Sequence, residues 1–200
     1  SLHKQRTIKL ADIAYRYIES GLPVIFGTSD HAMVGIGHKY DSKASANVAI
    51  QRIPAFFINN DNCGCYREMP ISGACSEYTF EQVNSIIAVT PSEATLRGEN
   101  AEDMARNSVS QLLKFAPDNT KPNQTYQNIL QQMRPDFTNW LAQLEYRTFL
   151  VESIVFQADL RIQMRKGHLG RKIGERLLKL DYPRYIWITE VSSSPLLNKP

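Results

Sequence analysis

The chain contains few cysteines, no long apolar run and no large excess of one charge. The three cysteines are an odd number and do not make the paired framework of small disulfide-rich secreted domains. No run approaches the roughly 18 apolar residues that a membrane helix needs. The N-terminal segment has charges but no long apolar stretch and no small-residue cleavage site, so it is unlike a secretory signal. We therefore expect a cytoplasmic protein with no membrane partner.

The composition is that of an ordinary folded protein. Hydrophobic residues make up 42% of the 200 positions and charged residues 22%, which is enough apolar material for one large domain or two small ones. The formal net charge of +3 is too small to indicate a nucleic acid or an anionic surface as partner. Composition therefore leaves enzymes and protein-binding modules as the main classes.

Short apolar segments follow an amphipathic helix in the first half of the chain. Apolar residues recur on one helical face from Ile8 to Ser20, and Gly21 and Pro23 then end that helix. Strands are predicted over 24–26, 31–37, 55–59 and 85–89, with a loop at 59–64 and a short capped turn at 79–83. Closely spaced short strands after a helix indicate an antiparallel α+β fold.

The pattern changes near residue 98, so we predict one region over 1–97 and a mostly helical region over 98–200. Helices are predicted over 99–115, 125–133, 137–144 and 170–180, with a linker at 116–123. Residues 146–156 favour a strand, with a helix as the alternative, and the aromatic and β-branched residues 185–191 predict a terminal strand. We expect strand 185–191 to join the sheet of the first region.

One histidine stands at the start of a predicted strand, opposite a turn rich in polar residues. His31 precedes the apolar strand up to Gly37, and Asp61 lies just past the strand 55–59. Adjacent antiparallel strands bring the start of one beside the end of the next. Imidazole can take a thiol proton near neutral pH, and a carboxylate can orient it. Asn59 and Asn60 are competing orienting residues because an amide oxygen accepts the same hydrogen bond.

These residues carry a resemblance to a known superfamily. The segments SGLPVIFGTSDHAMVGIGHKY and FFINNDN resemble the His-and-Asp half of papain-like cysteine peptidases, especially the bacterial branch that includes the double-glycine leader peptidases. The resemblance covers about residues 13 to 91. It implies a papain-like antiparallel sheet with flanking helices, His31 as general base and Asp61 as orienting acid. His38 stands where the family usually has Tyr, so no role is transferred to it.

The nucleophile of that family is missing from its usual place. The family's cysteine begins a helix well before the histidine, and no residue before His31 is a cysteine. The resemblance therefore implies hydrolysis of peptide or isopeptide bonds with a cysteine from a missing N-terminal segment or a partner. The alternative is a non-catalytic papain-like module that binds a peptide or a protein. Neither function needs a cofactor.

The three cysteines of this chain allow two further interpretations. Cys63 and Cys65 flank a glycine on a turn and could bind zinc with His31 or His38, although zinc sites usually space paired cysteines more widely. Cys75 has small neighbours and follows the histidine, which is the order in caspase-type proteases, but its local sequence lacks that family's signature. Small, partly buried thiols without a chemical role are the favoured interpretation.

A basic segment spans residues 161–179. It contains seven Lys and Arg residues and one Glu, a composition that could meet phosphates. No recognised nucleic-acid motif accompanies it, and a solvated face of an amphipathic helix is the favoured interpretation. Nucleic-acid binding through this segment remains the third and weakest hypothesis.

Overall fold

The computed structural model describes residues 2–44, 49–73, 77–114 and 144–192. Its helices and antiparallel strands form a mixed α+β arrangement, as the sequence predicts. The helices are α1 (Leu2–Glu19), α2 (Gly98–Lys114), α3 (Ser153–Arg165) and α4 (Arg171–Leu178), with 3-10 turns at Ala49–Arg52 and Phe80–Gln82. The strands are β1 (Val24–Gly27), β2 (Ala32–His38), β3 (Ala55–Asn60), β4 (Gly64–Pro70), β5 (Ser85–Ala88), β6 (Glu145–Glu152) and β7 (Tyr185–Ser192).

The first region forms a five-stranded antiparallel sheet with the strand order β4-β3-β2-β1-β5. Strands β1 and β2 form a hairpin that pairs Val24 with Gly35 and Gly27 with Ala32. Strand β3 then pairs with β2, and the register shifts between Gly35 and Gly37. The predicted strands and the capped turn are confirmed, and the N–H of Thr79 donates to Gln82 Oε1 at 2.8 Å in that turn.

Helix α1 covers one face of this sheet and forms the main core with it. Ala11 and Ala14 are fully buried, and their small side chains allow the helix backbone to approach the strands closely. The rings of Phe26, Phe56 and Phe80 contact one another at centroid distances of 5.1 to 5.4 Å. The aromatic cluster fixes β1 and β3 on the 3-10 turn that carries Phe80.

Strand β4 was not predicted from the sequence, which gives only a loop around Asn59–Gly64. Its residues show no apolar alternation, and Met69 is the one residue of β4 that is buried. It is an edge strand with both faces mostly in solvent, so the hydrophobic period that indicates strands is absent. Gly64 and Tyr66 have positive φ angles of 93° and 55°, which places an irregular bend where β4 begins.

The prediction that strand 185–191 joins the main sheet is wrong. Strand β7 pairs with β6 in a separate two-stranded antiparallel sheet, with Thr148 opposite Thr189 and Leu150 opposite Trp187. All eight residues of β7 pair with residues of β6, so the backbone hydrogen bonds of β7 are made without an edge strand of the larger sheet. The strand predicted over 146–156 is correct up to Glu152, where α3 begins instead.

The two-stranded sheet contacts α1 through buried polar groups. Arg147 Nη2 lies 2.8 Å from Glu19 Oε2, and the Leu150 N–H donates to Ser20 Oγ at 2.7 Å. Helix α2 contributes Glu102, which accepts hydrogen bonds from Arg16 at 2.9 Å and from Thr148 at 3.0 Å. The division into regions 1–97 and 98–200 stays a prediction, and the helices and linker predicted over 116–143 lie outside the described residues.

Candidate functional site

The backbone of His31 is held in the turn that joins β1 to β2. The Thr28 N–H donates to the His31 carbonyl at 2.8 Å, and the His31 N–H donates to Thr28 Oγ1 at 3.0 Å. Because Thr28 binds both backbone groups, these two hydrogen bonds fix the backbone of His31 relative to the sheet. His31 therefore precedes the first residue of β2, close to the position that the sequence predicts.

The structure brings His31 together with both polar residues at the end of β3. Nε2 of His31 lies 2.9 Å from Asn60 Oδ1 and 3.1 Å from Asp61 Oδ1. The pairing of Val34 with Asn59 sets β2 and β3 side by side and produces this proximity. Asn59 is used differently, since its Oδ1 accepts the N–H of Tyr66.

Asn60 is the better placed of the two partners. It is 4% exposed, whereas the Asp61 side chain is 81% exposed, so water screens the Asp61 contact much more. Asn60 Oδ1 also accepts the Asn62 N–H at 2.9 Å, which identifies this atom as the amide oxygen. In the neutral ring Nε2 must then donate to Asn60, and the proton-accepting nitrogen is Nδ1.

Tyr78 covers one face of the histidine ring. The two ring centroids are 5.5 Å apart with an interplanar angle of 27°, so the rings are stacked. The His31 side chain is 15% exposed as a result of these contacts. Sequence reasoning missed Tyr78 because it lies 47 positions further along the chain in a segment without periodic pattern. The one indication of Tyr78 in the sequence is that an aromatic residue stands directly before the capped turn at 79–83.

Cys63 lies in the β3–β4 turn near this site, but its environment opposes a thiolate. The thiol donates to the Glu77 carboxylate, and this hydrogen bond raises the pKa of Cys63. A thiol held in its protonated form is a poor nucleophile. Cys65 is exposed on β4, and Cys75 lies outside the described residues. Within the described ranges no cluster of three or more His, Cys, Asp or Glu side chains could hold a metal ion.

Two adjoining clefts open beside the stacked Tyr78. The first, which we name the acidic cleft, has a volume of about 480 Å³ and is lined by Thr28, Ser29, Asp30, Asn62, Cys63, Glu77, Tyr78 and Gln82. The second, the inner cleft, has about 310 Å³ and is lined by Ile58, Asn60, Cys63, Arg67, Glu68, Glu77 and Tyr78. Cys63, Glu77 and Tyr78 line both, so the clefts are neighbours, and the Tyr78 ring that they share also stacks on His31.

The other singled-out residues lie elsewhere. His38 Nε2 lies 2.6 Å from Glu19 Oε1 and packs edge-on against Tyr15, which is a structural position at the contact with α1. The basic segment forms the exposed surface of α3, α4 and the turn between them, and one of its cations, Arg171, pairs with Glu175 at 2.8 Å. Neither group contributes to the site at His31.

Models of known protein families, curated proteins and solved structures were all compared with the chain, and none of them matches it. Among the described residues, none of the helices has the length and apolar character that crossing a bilayer requires. The geometry around His31 is thus the main indication of function.

Proposed function

We propose that this chain is the histidine-bearing part of a papain-like cysteine peptidase that hydrolyses peptide or isopeptide bonds. The observation that supports it most is the position of His31 at the start of β2, with Nε2 held 2.9 Å from Asn60 Oδ1 at the end of the neighbouring strand. A general base requires one ring nitrogen fixed by a hydrogen-bond acceptor and the other left with its lone pair.

In the proposed reaction His31 Nδ1 takes the proton of a cysteine thiol, and the thiolate attacks the substrate carbonyl. The imidazolium then gives that proton to the leaving amine as the C–N bond breaks, which leaves a thioester. Water hydrolyses the thioester, with His31 again as base. Asn60 and Asp61 stabilise the imidazolium because both present an oxygen to Nε2.

The nucleophile in this proposal comes from a segment N-terminal to Ser1 or from a partner protein. The role is not assigned to Cys63, because its thiol donates to Glu77 and this hydrogen bond raises the pKa of Cys63. The 200 residues alone are therefore expected to be inactive toward peptide substrates.

A second candidate function is a non-catalytic module that binds a peptide or protein in the same place. The observation that favours it is the pair of clefts beside Tyr78, which offers a binding surface without the need for a thiol. A cysteine at a helix start upstream of Ser1 in the parent reading frame would favour the peptidase, and a frame without one would favour the binding module.

The direct test uses the longest natural form of the protein. His31→Ala is expected to lower kcat/KM on a fluorogenic peptide library by about 10²- to 10⁴-fold, the usual contribution of a general base. His168→Ala, an exposed histidine in the α3–α4 turn, is the matched control and should leave hydrolysis unchanged. Full hydrolysis by His31→Ala would overturn the proposal.

A further inference from the structure

Neutral donors bind the two carboxylates of the acidic cleft. Asp30 Oδ1 lies 3.1 Å from the Thr28 hydroxyl and 3.3 Å from the Ser29 hydroxyl, and the Glu77 carboxylate accepts the Cys63 thiol. Among the described residues neither carboxylate forms an ion pair. The described part of the acidic cleft therefore holds two negative charges without a paired cation.

The inner cleft adds an unpartnered donor of a different kind. Asn60 lines it and is 4% exposed, and its Nδ2 is buried without a hydrogen-bond acceptor among the described residues. Its Oδ1 already serves His31 and the Asn62 N–H, so the amide cannot turn over to satisfy Nδ2. A buried N–H group without an acceptor costs stability, and a ligand carbonyl oxygen would recover it.

The charges of the inner cleft are largely balanced, unlike those of the acidic cleft. Glu68 pairs with Lys39 at 3.1 Å, and the Arg67 Nε donates to the Cys63 carbonyl. Glu77 lines both clefts and Asp30 lines only the acidic one of the two, so the acidic cleft holds two carboxylates that are bound by neutral donors. A ligand that suits both clefts has a neutral acceptor for Asn60 Nδ2 and a cation for Asp30 and Glu77.

From this arrangement we propose that the two clefts select a peptide segment carrying Lys or Arg next to the bond presented to His31. The basic side chain lies in the acidic cleft between Asp30 and Glu77, and a main-chain carbonyl accepts a hydrogen bond from Asn60 Nδ2. This specificity rests on the proposed function, since it names the substrate class of the same site. Tyr78 contacts the ligand on the edge away from His31.

Binding of labelled peptides to the 200-residue chain tests the specificity without any catalysis. The probes are fluorescein-labelled pentapeptides of alanine with a central Lys, Gln or Glu, measured by fluorescence anisotropy at low salt. The Lys peptide is expected to bind about tenfold more tightly than the Glu peptide, because each exposed charge pair contributes up to about fivefold. The double variant Asp30→Asn with Glu77→Gln should reduce that preference to less than about threefold.

Asp103→Asn is the matched control, since Asp103 is an exposed carboxylate on α2 that lines neither cleft. It should keep the full preference. Equal affinity for the Lys and Glu peptides, or an unchanged preference in the double variant, overturns the inference.

A second measurement locates the bound peptide. In the Cys65→Ser variant, alkylation of Cys63 by N-ethylmaleimide is followed by mass spectrometry, and saturating Lys peptide should slow it several-fold. Unchanged alkylation places the peptide elsewhere and also overturns the inference. His31→Ala should still bind the Lys peptide more tightly than the Glu peptide. A loss of hydrolysis and a loss of binding specificity can therefore be distinguished. If His31→Ala hydrolyses normally while the preference persists, the peptidase proposal fails and the binding specificity remains.

Discussion

At the scale of single residues, the site is defined by three restraints on one histidine. Thr28 binds the backbone of His31, Asn60 binds the ring edge, and Tyr78 covers one ring face. Such a ring loses little conformational freedom when it reacts, since the structure already holds its orientation. Asp61 adds a charge at 3.1 Å but stays in water. The residue that orients His31 is thus chiefly an amide.

The tautomer of His31 follows from that geometry and can be measured. We expect the neutral ring to carry its proton on Nε2 and none on Nδ1, as measured by long-range ¹H–¹⁵N spectra. Asn60→Ala should give a mixture of tautomers, because the fixed acceptor is lost. Asp61→Asn, the matched variant at the exposed partner, should leave the spectrum nearly unchanged. A dominant Nδ1-protonated ring in the wild-type protein would contradict the assignment.

The sequence predicts that His31, Asn60 and Asp61 lie close together, because the start of one antiparallel strand lies beside the end of its neighbour. It could not rank Asn60 above Asp61, since that ranking depends on burial. The Tyr78 stacking and the Cys63–Glu77 contact could not be predicted for a different reason. The first joins the β1–β2 turn and the second joins the β3–β4 turn to a segment without periodicity, and tertiary packing alone decides which residues meet there.

At the scale of elements, two glycines of β2 differ in what surrounds them. A Cβ at Gly35 would lie 2.4 Å from the Phe26 ring, whereas a Cβ at Gly37 would make an ordinary contact with Phe57 at 3.4 Å. Gly35 is therefore required for the close approach of the β1 aromatic core to β2, and Gly37 is not.

Gly35→Ala is expected to destabilise the protein by about 1–3 kcal/mol through overpacking against Phe26. Gly37→Ala should be neutral or slightly stabilising, because alanine restricts the unfolded chain more than glycine does. Urea unfolding followed by circular dichroism compares the two variants. A Gly35→Ala protein as stable as Gly37→Ala would show that Phe26 can move aside at little cost.

The basic segment 161–179, which includes the end of α3, the α3–α4 turn and α4, has a large excess of positive charge. Residues 161–179 have a formal charge of +6, so the remaining residues of the chain sum to −3. If this surface is only a solvated face, its affinity for a labelled 20-base-pair DNA duplex at 0.15 M salt should be weak. The Kd is then expected to be above about 1 μM, which is the tight end of non-specific binding. Tighter binding that falls steeply with added salt, and that weakens in Arg161→Ala with Arg165→Ala, would instead support a nucleic-acid partner.

Most elements were predictable where one face is buried, as for α1, β1, β2 and β3, and β7 was predictable from its aromatic and β-branched residues. The elements that were missed lack these signals. Strand β4 is a solvated edge, and the first residues of α3 are apolar and β-branched like the end of β6. The pairing of β7 with β6 was also not predictable, since an apolar strand does not specify which edge it meets.

At the scale of the whole molecule, α1 contacts both sheets and is linked to distant residues by buried charges. Glu102 of α2 receives hydrogen bonds from Arg16 of α1, Arg106 and Thr148 of β6, and its side chain is 3% exposed. Burial alone would raise the pKa of Glu102, but the hydrogen bond and charge of Arg16, with those of Arg106, outweigh it and lower the pKa. The carboxylate therefore joins three elements in its ionised form.

Glu102→Gln is expected to cost about 3 kcal/mol of unfolding free energy, because it removes the more deeply buried of the two carboxylates, Asp12 and Glu102, that pair with the buried Arg16. The matched control is Glu175→Gln, which removes an exposed pair with Arg171 and should cost less than about 0.5 kcal/mol. Chemical denaturation at pH 7 measures both. Equal costs would mean that the Glu102 network is no stronger than a surface ion pair.

The lowered pKa of Glu102 also sets the sign of a pH effect. Its contribution is fully present above the unfolded-state pKa near 4.5 and is lost as the pH falls through that value toward the lower folded-state pKa. When the pH is lowered below about 5, we expect the urea concentration at half-unfolding of the wild-type protein to decrease. The same decrease should be shallower for Glu102→Gln. Parallel curves for the two proteins would assign the acid sensitivity to other carboxylates.

The long-range pairing of α1 has a consequence for synthesis on the ribosome. Arg16 and Glu19 emerge first, but their partners Glu102 and Arg147 follow 86 and 128 residues later. At roughly 5–20 residues per second, Glu19 waits on the order of 10 seconds for Arg147. The five-stranded sheet lies within residues 24–88 and can form on α1 in that interval, whereas the contacts of Arg16 with Glu102 and of Glu19 with Arg147 form only after α2 and β6 have left the exit tunnel.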